Sequence, residues 1–460
     1  MAATPSMPTV GKNYETWFLT QGFVGFVNAG GAAFLVAPMI LSQGGTAADA
    51  GMVVGLLPFV ALLSPIFGSM ADKYRIHRGM ILVGLASLVL ASIVMSFAEQ
   101  ELTYVVGALL FGTGGGLIIV SNLSMLAGSG LPEEGVAKRM GLLQMSMPFG
   151  QFLALILIAV LLAAGVSFSD LFLVIAAVAA VGFVVAWPLT KAPAQRTREY
   201  LDSHTTALQS SEASGSRNKF ATIMFSAFGL FLLINFLSQF GEQIIESQYP
   251  NYLNDVFKID PEVAALTMAV AVLISAPLYP MSGRWAARSG SKLPFMFAIA
   301  VRTVMTAGLA FLSLAGGDGL QVPAMILFGI MIVMYPFFEV NTSLIAVKTS
   351  PIGPGGGQGF QGGATQLAGI LGAFLAGWLA NQAGFETLAW VATGFGIAAF
   401  VVGLFLKVER PGNAEPEHPE DAAISIAAVA AMGATSARGG RPQQLPHDDA
   451  AGDTDDNAAE

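Results

Sequence analysis

The chain contains apolar runs too long and too free of charge for a water-soluble domain. Ile81 to Phe97 and Leu171 to Trp187 hold no ionisable residue. Each approaches the ~20 residues that cross ~30 Å of hydrocarbon. A soluble chain keeps its apolar runs short and carries ~25% charged residues. Here 54% of the 460 residues are hydrophobic and 11% charged. The expected class is therefore an all-α membrane protein. Cysteine is absent, which excludes disulfides, thiolate metal sites and thiol chemistry.

Apolar segments fall at about 15–41, 49–71, 79–98, 102–127, 137–164 and 170–190, and again at 220–247, 262–284, 293–314, 321–347, 358–382 and 386–407. They predict twelve transmembrane helices in two pseudo-symmetric six-helix bundles. The domain reading is a cytoplasmic N-terminus 1–14, an N-terminal bundle 15–190, a polar linker 191–219, a C-terminal bundle 220–408, and a tail 409–460. The tail is rich in Pro, Ala, Gly and Asp and too poor in apolar surface to fold alone, so it is expected to be disordered. The first span serves as the insertion signal, because no basic region with an isolated apolar core precedes it.

Charge placement tests this topology. With both termini inside, Lys and Arg crowd the inner turns and the tails. Of the 21 basic residues, only Lys258 falls on an outer loop and Arg302 within a span. A weak internal repeat supports the duplicated halves. A shift of 219 residues lays Asn122 on Asn341 and Gly150 on Gly369, and a shift of 215 lays Pro65 on Pro280 and Gly68 on Gly283.

The turn between spans two and three reads Gly68-Ser-Met-Ala-Asp72-Lys73-Tyr-Arg75-Ile-His77-Arg78. It resembles the G-x-L-A-D-[RK]-x-G-[RK]-[RK] loop of the major facilitator superfamily, with Met70 for Leu and Arg75 where that family usually has Gly. The matching turn of the second half, Gly283 to Lys292, keeps that Gly as Gly290 and carries Arg288, but has lost the Asp. The resemblance covers about residues 14–408 as architecture. It implies a gating motif of Gly68, Asp72, Lys73, Arg75, Arg78, Gly283, Arg288 and Gly290. Asp72 would latch the cytoplasmic gate against the Gly-rich start of span eleven, where free N–H groups suit an anion. Read without the family, the same cations are topogenic charges. The resemblance also places spans 1, 4, 7 and 10 around a central cavity.

The polar residues agree with that placement. Spans 3, 6 and 12 carry no amide or charge in their apolar cores, whereas span 7 carries Asn235, Gln239, Glu242 and Glu246 on one helical stripe. Polar groups in hydrocarbon face a cavity or another helix. The candidate substrate cavity is Gln21, Asn28, Asn122, Gln144, Asn235, Gln239, Glu242, Tyr335, Asn341 and Gln361. Each amide has a structural alternative as interhelical glue, worth ~0.6 kcal/mol on average. Glu246, near the outer end of its span, has solvation as its alternative.

Arg302 and Glu339 lie ~13 Å deep by a rise of ~1.5 Å per residue, on consecutive spans. Burial at that depth predicts that they pair. They brace the bundle, or Glu339 alternates between Arg302 and a proton. Glu339, Arg302 and Glu242 are thus the candidates for proton coupling, since no His lies in a span.

There is no nucleophile–base pair, phosphate loop or metal cluster, so no enzyme, cofactor or metal is expected. Family drug-exporter signatures are eroded in spans 4 and 5, where Leu109–Gly116 lacks Arg and Met147-Pro148-Phe149-Gly150 stands alone. The expectation is a secondary transporter of a neutral or amphipathic small molecule. It is placed as a monomer in the lipid bilayer of the cell (inner) membrane, coupled to protons, with no nucleic-acid partner. The alternative is a non-transporting relative acting as an assembly factor or sensor.

Overall fold

A computed structural model describes residues 14–129, 131, 133–208, 226–315, 319–350 and 354–408. The tail expected at 409–460, most of the N-terminus and the end of the linker lie outside them.

All described elements are helical. The first half runs α1 (Thr16–Ser42), α2 (Ala47–Leu56), α3 (Ser64–Tyr74), α4 (His77–Ser96), α5 (Glu101–Ala127), α6 (Glu133–Ala163) and α7 (Phe168–Leu189). The linker opens with α8 (Lys191–Leu208). The second half runs α9 (Ala227–Glu246), α10 (Tyr249–Phe257), α11 (Pro261–Ser275), α12 (Leu278–Ser289), α13 (Lys292–Ala315), α14 (Gln321–Val333), α15 (Tyr335–Thr349), α16 (Pro354–Ala383) and α17 (Glu386–Leu404).

Among the described residues, 10 helices are long and apolar enough to cross a membrane, and the bent pair α11–α12 makes up to 11. The expected second span is helical but broken. Its apolar helix is the shorter Ala47–Leu63, and it reaches Tyr74 through a 3-10 turn at Phe59–Leu63. The cause is proline. Pro58 and Pro65 flank that turn, while Pro277 and Pro280 accompany the 45° bend between α11 and α12. Each ring removes a backbone N–H and clashes with the preceding turn. The same device thus recurs at equivalent places in the two halves.

Lipid supplies no hydrophobic drive between helices, so close approach depends on small residues. A Cβ at Gly25 would stand 2.0 Å from the Met147 carbonyl oxygen, and one at Gly150 2.0 Å from that of Gly22. These glycines let α1 and α6 touch backbone to backbone. Opposite α6, α1 widens into π-helix over Gly25–Ala32. Within the first half α4 packs on α5 and α7. Within the second, α9 packs on α16 and α17, and α13 on α14, α15 and α17.

The halves meet along two helix pairs, α2 with α16 and α6 with α11. At the face away from the N-terminus the contact is tight. A Cβ at Gly51 would lie 2.5 Å from the Ala373 carbonyl oxygen and 2.6 Å from Gly377 Cα. There Phe34 of α1 meets Tyr249 of α10 with ring centroids 6.3 Å apart. Gln248 Nε2 donates to the Ala47 carbonyl at 3.3 Å. At the face bearing the N-terminus, α3 packs on α4 and α5, and α12 on α13 and α15, each within its own half. A cleft of about 410 Å³ lies on that side between α1, α6 and α11, lined by Leu19, Met145, Phe149, Phe152, Val272 and Leu273.

The linker is ordered where it is described. Thr197 of α8 donates to the Met125 carbonyl at 3.0 Å, and Leu201 is buried. Glu15 pairs with both Arg139 and Arg196. These contacts fix α8 across the end of the first half.

Candidate functional site

The expected gating turns form the ends of α3 and α12. Gly68, Asp72 and Lys73 lie on α3, and Arg75 caps it in the left-handed region at φ 55°, ψ 35°. Gly283 and Arg288 lie on α12, which Gly290 caps at φ 82°, ψ 154°. The cap explains why a turn of this kind favours Gly at the site, since a Cβ is penalised at positive φ. Arg75 accepts that cost while its Nε donates to Asp202 of α8 at 3.0 Å. Arg78 reaches instead to α7, where its guanidinium sits 5.1 Å from the Trp187 ring centroid.

In the first half the candidate amides tie helices together. Asn122 Nδ2 donates to Gln21 Oε1 at 2.9 Å, and Thr20 donates to Asn122 Oδ1 at 3.0 Å, joining α1 to α5. Asn28, inside the π-helical stretch, donates to the Phe111 carbonyl at 3.1 Å and leaves its buried Oδ1 without a partner. π-Helical turns inside longer helices concentrate at functional sites. Gln144 is exposed on α6.

In the second half Asn235 of α9 donates to Thr365 of α16 at 3.0 Å, and Gln361 donates to the same hydroxyl at 3.1 Å. The buried Oδ1 of Asn235 and Oε1 of Gln239 have no partner. A buried acceptor without a donor is costly. Asn341 is fully buried and its Nδ2 donates to Ser282 at 2.9 Å and to the Phe337 carbonyl at 2.7 Å, which fastens α15 to α12, while its Oδ1 likewise has no partner.

The expected Arg302–Glu339 pair does not form. Arg302 of α13 pairs with Glu242 of α9, and both side chains are almost fully buried. Arg302 reaches Glu242 by passing α15, where its guanidinium lies 4.8 Å from the Phe338 ring centroid and 6.0 Å from that of Tyr335. Helix rotation is the physical reason. Phe338 points to α13, so Glu339, about 100° further round the helix, turns toward α12. There it accepts from the Tyr279 hydroxyl at 2.7 Å and remains exposed. Beside the Arg302–Glu242 pair, Ser238, Thr303 and Thr306 line a cavity of about 20 Å³, room for one water. Glu242 therefore faces α13 rather than a shared cavity wall.

Sequence reading did not single out Thr20, Tyr279, Ser282 or Thr365. Thr365 had a signal, lying one turn after Gln361 on the same helix face. Tyr279 had none, because its partner is three helices later in the chain.

Two halves with matching broken helices, joined along α2–α16 and α6–α11, are a recognisable arrangement. The family model described as Major Facilitator Superfamily matches residues 18–353 and 231–441. This chain belongs to the major facilitator superfamily. No curated protein sequence matches it. Among solved structures, the nucleoside transporter NupG is similar at TM-score 0.66 and 17% identity, over 85% of this chain and 99% of that one. The D-xylose-proton symporter is similar at TM-score 0.66 and 14% identity, over 86% and 97%. The inward-open conformation of the xylose transporter XylE from E. coli is similar at TM-score 0.67 and 11% identity, over 86% and 97%. At these identities the likeness shows the fold. With the family match, it makes this superfamily member a multi-pass membrane transporter and not an enzyme.

Proposed function

We propose that this facilitator moves a small uncharged solute by alternating access, driven by protons, with both termini in the cytoplasm. The observation that carries the reading is the asymmetry between the two faces. The halves are sealed at Gly51, Gly377, Phe34 and Tyr249, while the apolar cleft lies between α6 and α11 on the N-terminal side. With the N-terminus inside, as the basic residues favour, this is an inward-facing arrangement. The likeness to a transporter described as inward open is in line with it.

The solute class follows from the unpartnered acceptors. Asn235 Oδ1 and Gln239 Oε1 call for donors, and the nearest buried cation, Arg302, is already neutralised by Glu242. Hydroxyl or amide donors of a neutral solute suit such a site, whereas a multiply charged anion would need a free Arg or Lys. The neighbours' named solutes, nucleosides and D-xylose, are uncharged and rich in hydroxyls.

For the proton, Glu339 is the better carrier. It holds a single neutral hydrogen bond, from Tyr279, and is exposed, whereas Glu242 is held by Arg302. Protonating Glu339 breaks no ion pair.

The test is uptake into proteoliposomes across a panel of sugars, nucleosides and amphipathic neutral compounds, with and without an inward-acid gradient. Asn235→Ala and Gln239→Ala are expected to raise the half-saturating concentration about tenfold each, the equivalent of ~1.4 kcal/mol. Glu339→Gln is expected to abolish gradient-driven accumulation while leaving solute exchange intact. Full accumulation by Glu339→Gln would remove Glu339 as the proton carrier.

A further inference from the structure

We propose that Arg78, Trp187 and Lys191 form a binding site for the phosphate of an anionic phospholipid in the leaflet on the N-terminal face. The inference begins with one face of one helix. α7 passes through Thr190, which keeps right-handed helical geometry, directly into α8. Val181, Val184, Trp187 and Lys191 follow at spacings of three, three and four, so they share a face. All four are exposed, Val184 at 68% and Trp187 at 55%. Reading outward, the column passes from aliphatic to aromatic to cationic. That is the order of acyl chain, interface and headgroup in a bilayer leaflet.

The second cation comes from the neighbouring helix. Arg78 of α4 lays its guanidinium 5.1 Å from the Trp187 ring centroid, and its Nη2 donates to the Trp187 carbonyl at 3.0 Å. Its Nε is buried without a partner. Lys191 lies one helical turn beyond Trp187, so the two cations bracket the indole. Three basic residues of this half have carboxylate partners within the chain, Arg75 with Asp202 and both Arg139 and Arg196 with Glu15. Among the described residues Arg78 and Lys191 have none. Two uncompensated cations above a lipid-facing valine column call for a headgroup of net negative charge. Phosphatidylglycerol fits that requirement, whereas a zwitterionic headgroup would bring its own cation into the bracket.

The test uses the full chain in detergent, with native mass spectrometry reading lipid retained after titration with phosphatidylglycerol or phosphatidylcholine of matched acyl chains. Phosphatidylglycerol is expected to be retained in preference. Each basic residue near a membrane surface contributes ~1 kcal/mol to anionic lipid binding, so Lys191→Gln should weaken retention about fivefold and Arg78→Gln/Lys191→Gln about 25-fold. Lys191 is exposed and forms no hydrogen bond or ion pair among the described residues, so Lys191→Gln alone keeps the test sound if the double variant unfolds. Equal retention of the two lipids, or unchanged phosphatidylglycerol retention by Lys191→Gln, would overturn the proposal. So would inorganic phosphate raising the melting temperature as much as phosphatidylglycerol does, because the valine column would then contribute nothing.

Discussion

At the scale of single residues, the ion pair between Arg302 and Glu242 has the sharpest energetic consequence. Removing one member leaves the other charge buried, at a cost of about 3–5 kcal/mol, while replacing both with apolar residues of similar volume is near neutral. Arg302→Met and Glu242→Leu should each lower the melting temperature of the purified protein markedly, and the double variant should recover most of the loss. A loss in the double variant equal to the sum of the two single losses would mean that the pair is not formed. Arg75 offers a smaller test. It occupies a left-handed position costing ~1–2 kcal/mol for an L-residue, which Gly avoids. In an Asp202→Ala background, which removes the Asp202 ion pair, Arg75→Gly should relieve this backbone cost, read as a smaller loss of stability in thermal unfolding than Arg75→Ala causes. Individual residues were only partly legible in the sequence. The depth of Arg302 and its need for a counter-charge could be read from its place in an apolar run. Which carboxylate answers depends on how α9 and α15 are rotated about their axes. Glu339 was nearer along the chain, yet Glu242 received the contact. The amides show the same limit, since composition does not reveal that Asn341 ties α15 to α12 through Ser282 while Asn235 ties α9 to α16 through Thr365.

At the scale of elements, glycine placement governs how the helices meet. Gly25 and Gly150 leave no room for a Cβ between α1 and α6. Gly150→Val is expected to abolish folding into the membrane-stable form, or to cost at least ~1–3 kcal/mol through overpacking. Gly362→Ala on α16, where nothing lies within 4 Å, should be silent in the same melting and uptake assays. Long straight spans were readable from hydropathy because bilayer thickness sets their length. The broken second span was read only as one run of 49–71, since hydropathy averages over the 3-10 turn that Pro58 and Pro65 impose. The linker shows a different limit. Its polarity separated the halves, but the docking of α8 depends on Thr197, Leu201 and the Glu15 bridge, which only tertiary proximity brings together.

At the scale of the whole molecule, the duplicated halves, the sidedness of basic charge and the paired turns at Gly68 and Gly283 were all legible in the sequence. Which end of the halves is shut was not, because both ends carry the small residues that close packing needs. The structure seals the face away from the N-terminus through Gly51 and Gly377. A bulky residue at Gly51 must therefore prise that face apart, and rigid halves that rock must then close the other. The chain holds no cysteine, so spin labels at introduced cysteines report single distances by electron–electron resonance. One labelled pair joins the exposed Tyr74 and Lys348 on the N-terminal face, and the other joins Leu102 and Asp255 on the opposite face. In lipid nanodiscs, Gly51→Trp is predicted to lengthen the 102–255 distance and shorten the 74–348 distance together. A lengthened 102–255 distance with an unchanged 74–348 distance, or no change in either, would contradict alternating access by rocking halves.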